Sequence, residues 1–414
     1  MGIEQKINNA LIKVPAMKKV IKRLYQVSMY VLSTKIKYEG EIIRITPKDE
    51  YEYFFGYYDK SPWDVSGRYM LCLRVKDTTK SVAPKEPAEI ILIDTHDNNS
   101  FQVVGSTKTW NVQQGSMLQW LGPDYSEKII FNDFRSGKYC SVVLNLKTRE
   151  EKVLEMPVYS VSNDGEFALT LDFSRLHRLR KGYGYSNLIE TTVNEKLPEK
   201  PCVWHLNIKT NQIKPILNYT DFANFETRPE MNEAEHKVNH IILNPSGNRF
   251  MVLHRWINGT EKFTRLITSN IDGSDLFNLS DDNMISHCNW KSDTEILAYA
   301  RKKEIGNGYY LMKDKTMEYI HMWPELVVDG HPSYSPDGSL VVTDTYPNRS
   351  RLASVFVIKE NNVNTIARVF APFKYDNDLR CDLHPRWNRS GDKICFDSVF
   401  EGKRGLYVVG IKKN

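Results

Sequence analysis

The chain has 414 residues, 41% of them apolar, enough for one large repetitive domain or two average ones. Its net charge of +5 is uneven: residues 1–37 hold eight basic side chains against Glu4 alone, which leaves −2 for 38–414 and excludes a basic nucleic-acid-binding body. Six scattered cysteines with no C-x-x-C pair give neither a zinc-finger spacing nor a disulfide framework, so a reducing, cytoplasmic compartment is the expectation.

At the N-terminus Ile3, Ile7, Leu11 and Val14, then Met17, Ile21, Leu24 and Ser28, recur every three or four positions, with lysines mostly between them. Residues 1–37 therefore read as a short basic amphipathic helical segment interrupted at Pro15. Two uses stand: peripheral contact with the inner face of an anionic membrane, or packing on the body or on a partner. The run LYQVSMYVL is too short and polar to span a bilayer, and no signal-peptide cleavage site follows it.

From residue 38 the pattern changes to short β-rich runs punctuated by Gly, Asn, Asp and Pro. Seven copies of a turn followed by an alternating strand align: SPWDVSGRYMLCLRV, LQWLGPDYSEKIIFNDF, VYSVSNDGEFALTLDF, HIILNPSGNRFMVLHRW, HCNWKSDTEILAYAR, HPSYSPDGSLVVTDTY and HPRWNRSGDKICFDSV. Each is followed by one or two further strand-like runs, so 38–414 is expected to be an all-β, seven-bladed β-propeller. One interval between turns is 82 residues long, and the excess is assigned to loops near 174–200 and 219–237. The last copy lacks a fourth strand, and the orphan strand GEIIRITP at 40–47 is expected to complete it and close the ring.

Seven positions before each turn glycine, or its substitute, stand Lys60, Met117, Val158, His240, His287, His331 and His384. Four of ten histidines thus share one slot at the start of the innermost strand, where they should converge at one channel mouth. Such imidazoles suit a divalent transition metal, manganese or zinc, although a wet channel holding ordered water explains them too. The next strand should bring a second polar ring to that mouth: Arg74, Asp133, Asp172, His254, Arg301, Asp344 and Asp397. Arg74, Arg301 and Lys60 would there bind an anionic ligand or neutralise the aspartates. The tyrosine-rich runs YEYFFGYYDKSPW and KGYGYSN fit sugar rings, whereas Trp63, Trp120, Trp290 and Trp387 share a register and are assigned to packing. His177, Arg178 and Arg180 fall on an inserted loop, either a substrate lid or a solvated basic surface. No Gly-x-Ser-x-Gly, P-loop or dinucleotide fingerprint occurs in the right strand context.

This combination resembles the oligogalacturonate lyase family, seven-bladed propellers with a histidine-rich metal centre that cleave uronic-acid oligosaccharides by β-elimination. The likeness spans about 38–414 and is strongest from His240 to Trp290: FMVLHRW with Arg265 is similar to the segment holding the family's catalytic histidine, and MISHCNW to its metal-binding His-x-x-Trp. The resemblance implies His254 as base, Arg74 or Arg301 clamping the uronate carboxylate, Tyr58 as acid, and Lys60, Arg265 and Tyr183 on the substrate. It implies a metal on His287 and His331, with His240 and His384 added from register. The family also uses a glutamine and two closely spaced histidines in one unit, where DGHPSYS offers His331 alone. Two further classes stay open: a membrane-held enzyme of surface-glycan assembly, which would explain the basic helix, and a non-catalytic propeller scaffold.

Overall fold

The computed structural model describes residues 15–33, 41–84 and 86–411. Seven four-stranded antiparallel sheets form the blades of a closed propeller. Blades 1 to 6 use consecutive strands, over 52–107, 119–154, 160–218, 235–280, 285–322 and 333–370. Blade 7 takes Arg386–Trp387, Lys393–Ser398 and Gly405–Gly410 from the C-terminal end and its outermost strand, Ile43–Arg44, from the N-terminal side. Ile43 and Arg44 pair with Val408 and Tyr407, so the expected closure is present and the 405–410 edge is covered.

The blades are full of alternating apolar residues, and their tryptophans stitch neighbours together. Trp120 donates its indole N–H to Pro62 O of blade 1, Trp290 to Ile242 O of blade 4 and Trp387 to Ser333 O of blade 6, at 2.9, 3.0 and 3.2 Å. The shared register thus reflects one repeated inter-blade contact, as expected for packing. All six cysteines are buried and unpaired.

The long interval holds the two insertions. After the second strand of blade 3, Asp172 caps helix α2 (Phe173–Leu179) by accepting from Ser174 N and Arg175 N, and 180–200 follows as irregular chain. Arg175 is fully buried; it donates to His236 O and Lys196 O, both at 2.7 Å, and pairs with Glu190 at 2.6 Å, pinning this insertion to blade 4. Helix α3 (Tyr219–Asn224) opens the second insertion, ahead of blade 4.

Of the basic N-terminal segment, the described part is one helix, α1 (Pro15–Leu32); Ile3, Ile7, Leu11 and Val14 lie outside the described residues. It rests on blade 6 and the loop that follows. Arg23 pairs with Asp376 at 2.6 Å and covers the Phe373 ring, Tyr30 packs on Phe370, and Met29 O accepts from Ser350.

Candidate functional site

The slot histidines meet. His240, His287, His331 and His384 are buried at one channel mouth, with neighbouring ring centroids 5.5, 4.0 and 4.3 Å apart around the arc. Met117, His240 and His384 share a left-handed backbone, φ 56°, 54° and 44°. A non-glycine residue adopts this only where the surrounding structure holds it. In blade 4 the kink coincides with a break in strand register between Asn239 and Ile242.

Beneath the imidazoles the chain does something that no other blade repeats. Blade 1 pairs its innermost strand over Glu52–Phe54 and again at Trp63, opposite Met70, and between the two 55–60 crosses the channel. Buried Arg386 donates to Gly56 O and Tyr57 O, and its ion-pair partner Asp397, 2.9 Å away, accepts from Phe55 N and Gly56 N. On the far side Tyr57 Oη meets His240 Nε2, and Tyr58 Oη is held between Cys288 O and Cys288 N at 2.8 and 3.0 Å. The two tyrosines form a floor under the histidines, with Tyr57 5.1 Å from His384 and Tyr58 5.2 Å from His331.

Hydrogen bonding fixes which nitrogens are free. His287 Nδ1 lies 3.1 Å from Gly330 O, a carbonyl that can only accept, so the proton sits on Nδ1 and the Nε2 lone pair is available. His331 Nδ1 lies 2.7 Å from Asp344, whose second oxygen accepts the backbone N–H of His384 at 3.0 Å. Burial opposes protonation of His331, yet Asp344 lifts its pKa above the ordinary value. Burial, with the neighbouring His331 and Arg386, pushes His384 well below it. His331 Nε2, His384 Nε2 and one oxygen of Asp382 are buried without any partner, and the donor atoms of these three residues lie within 4.8 Å of one another. Two imidazole nitrogens and a carboxylate oxygen, all desolvated and unsatisfied, fit a divalent transition metal.

Above this cluster opens a cavity of about 400 Å³ lined by His240, His287, Tyr183, Tyr346, Asp329 and a group of cations, Arg180, Lys237, Arg255 and Arg380. Arg380 pairs with Asp382 at 2.5 Å, but among the described residues no carboxylate pairs with Arg180, Lys237 or Arg255. Lys237 Nζ donates to Leu179 O at 2.8 Å, and Arg255 Nε is buried without a partner. Burial, helped by Arg255 and Arg180, holds the Lys237 ammonium well below the usual lysine range, and burial lowers Arg255 too. An anion entering here would meet buried cations that have no carboxylate partner among the described residues.

The remaining sequence candidates lie elsewhere. Tyr183 lines the cavity and Tyr58 its floor, but the Tyr58 hydroxyl is consumed by the backbone of Cys288. Lys60 pairs with Asp59 and faces a separate pocket toward the opposite, turn-bearing end of the channel. Arg74 pairs with Glu89 over the Tyr51 and Phe101 rings, and Arg301 is exposed and bonded to Asn307. His254 and Arg265, both fully buried, do not reach the mouth: His254 Nε2 meets His236 at 2.9 Å, and Arg265 donates to His254 Nδ1 and to the carbonyls of Phe222, Phe225 and Glu226. The cause is parity. Adjacent residues in a strand point to opposite faces, so it is Arg255, one position on, that faces the cavity. Asp344 and Asp397 do serve the mouth, through His331 and Arg386, whereas Asp172 caps α2 and Asp133 pairs with Arg135. Sequence reasoning missed Tyr57, Lys237, Arg255 and Asp382; only Asp382 left a signal, the Asp-x-His spacing of CDLHP.

No protein-family model and no curated protein matches this chain. Among solved structures it is similar to an oligogalacturonate lyase in complex with manganese, at 17% identity and TM-score 0.61 over 92% of this chain and 96% of that one. It is also similar to the oligogalacturonate lyase of Vibrio parahaemolyticus, at 15% identity and TM-score 0.59 over 92% and 98%. The propeller domain of the Trilobed protease from Pyrococcus furiosus aligns at 12% identity and TM-score 0.50, over 86% and 93%. At these identities the likeness is one of fold.

Proposed function

We propose that the protein is a metal-dependent lyase that cleaves uronic-acid-containing oligo- or polysaccharide by β-elimination. The observation that carries this is the juxtaposition of three unsatisfied buried donors, on His331, His384 and Asp382, with Arg180, Lys237 and Arg255, none of which pairs with a carboxylate among the described residues. The manganese in the similar oligogalacturonate lyase supports a divalent ion here. His331, His384 and Asp382, with His287 beside them, would hold that ion, which when bound supplies a Lewis acid for the uronate carboxylate.

Arg255 and Arg180 pair with the same carboxylate, and their desolvation strengthens the contact. Lys237, whose burial among arginines favours the neutral amine, takes the proton α to that carboxylate; the C4–O bond breaks as the C4–C5 double bond forms, and the departing oxygen takes a proton from solvent in the cavity. Tyr183 and Tyr346 offer rings and hydroxyls to the sugar. Lys237 replaces His254 as the base because both nitrogens of His254 are already bonded inside blade 4.

The test pairs metal content with product absorbance on oligouronides. His384→Ala and Asp382→Ala are expected to lower bound manganese or zinc at least about tenfold. Lys237→Met should keep the metal and lose unsaturated product by about a hundredfold or more. Wild-type protein without metal and without unsaturated product on any uronide would overturn the reading. A second reading, an enzyme of surface-glycan assembly held at a membrane, draws support from the way Pro15–Leu32 is mounted.

A further inference from the structure

An amphipathic helix on a globular body ordinarily buries its apolar face. Pro15–Leu32 does the reverse. The side facing the propeller is polar: Gln26 is 8% exposed, Arg23 donates to Gln26 and pairs with Asp376, and Tyr30 sits on Phe370. The opposite side carries Val20, Leu24, Val27 and Val31 at helical spacing, exposed by 58, 64, 44 and 74%, with Met17, Ile21 and Leu32 beside them. Arg23 is the pin, held by Asp376 and by the Phe373 ring, while Arg351 pairs with the other oxygen of Asp376.

We infer that this exposed face is a docking surface for an anionic lipid bilayer. The helix carries Lys18, Lys19, Lys22 and Arg23 and no acidic residue, with Lys18 near the edge of the apolar rows and Lys19 and Lys22 on the polar side. That arrangement suits a plane of negative headgroups over an apolar interior. A second copy of the helix suits it poorly: pairing would bring lysine rows together with no carboxylate to offset them, and the apolar surface is broader than the narrow seam of a helical pair. Among the described residues no helix is long and apolar enough to cross a membrane, so the helix lies on the surface.

The mounting also sets direction. Ser350 and Asp376, which hold the helix, stand four residues from Tyr346 and Arg380 of the cavity wall. The helix is tethered through the same two loops that supply Tyr346 and Arg380 to the cavity, so a bilayer on its outer face would lie on the blade 6 side of the propeller.

Sedimentation of the full chain with vesicles tests this. Wild-type protein is expected to pellet with phosphatidylglycerol–phosphatidylcholine vesicles and to remain largely in solution with phosphatidylcholine alone. The variant Val20→Gln/Leu24→Gln/Val27→Gln/Val31→Gln should lose at least about tenfold in partitioning with an unchanged thermal midpoint, since these residues are exposed. Lys18→Glu/Lys22→Glu should weaken binding to the anionic vesicles. The inference fails if wild-type protein stays in solution with anionic vesicles or if the glutamine variant pellets equally. It fails too if light scattering finds a wild-type dimer that the glutamine variant abolishes while neither binds vesicles.

Discussion

Gly56 shows how one residue can decide whether a site exists. Its φ is +125°, and a Cβ there would lie 2.7 Å from Gln114 O, so a side chain meets both backbone strain and a backbone clash. Gly56→Ala is expected to cost at least about 2 kcal/mol of stability, measured by urea unfolding, and to displace Tyr57 and Tyr58 from beneath the histidines. At this scale the sequence was legible where it repeated. Four histidines in one register led directly to the mouth. Arg255 was hidden because a one-residue difference in strand register reverses which neighbour faces inward, so His254 took its place in the expected ring. Tyr57 was hidden because the crossing at 55–60 occurs once, and nothing in a repeat announces an exception.

Among the elements, Ile43–Arg44 is one of the shortest, with a large consequence. It is a two-residue strand, yet it covers the outer edge of the C-terminal blade, and Arg44 anchors it through Thr46 O, Pro47 O and Glu401. Truncation through residue 33 is expected to leave the unfolding midpoint within a few degrees, because that helix buries little. Truncation through residue 47 should cost roughly 3 kcal/mol or more and promote self-association, since buried Ile45 and its ladder bonds go together. Calorimetry with light scattering distinguishes the two. The closing strand could be read from the sequence because the strand count left the last copy one short and one strand over near the N-terminal side. The helix amphipathicity was equally plain, but its orientation was not: periodicity identifies two faces and is silent about which one a distant loop, here 370–376, will grip.

For the whole molecule, burial of neutral imidazole couples the fold to pH. His236 and His254 are sealed inside blade 4, and burial lowers the pKa of both, His254 well below the ordinary value. Between these depressed values and the unfolded pKa of about 6.5 the unfolded chain binds more protons, so stability rises with pH in that window and is lost on acidification. Below about pH 6.5 each should contribute a loss approaching 1.4 kcal/mol per pH unit, seen as a falling thermal midpoint from pH 7 to 5 in chelator-treated protein. His331, held by Asp344, acts in the opposite sense and softens the slope. The crossing at 55–60 has a last effect on traffic. Tethered to blade 7 on one side and to blades 4 and 5 on the other, it lies between the cavity above and the smaller pocket toward the turns. For the proposed lyase, substrate and product share the opening at the histidine end.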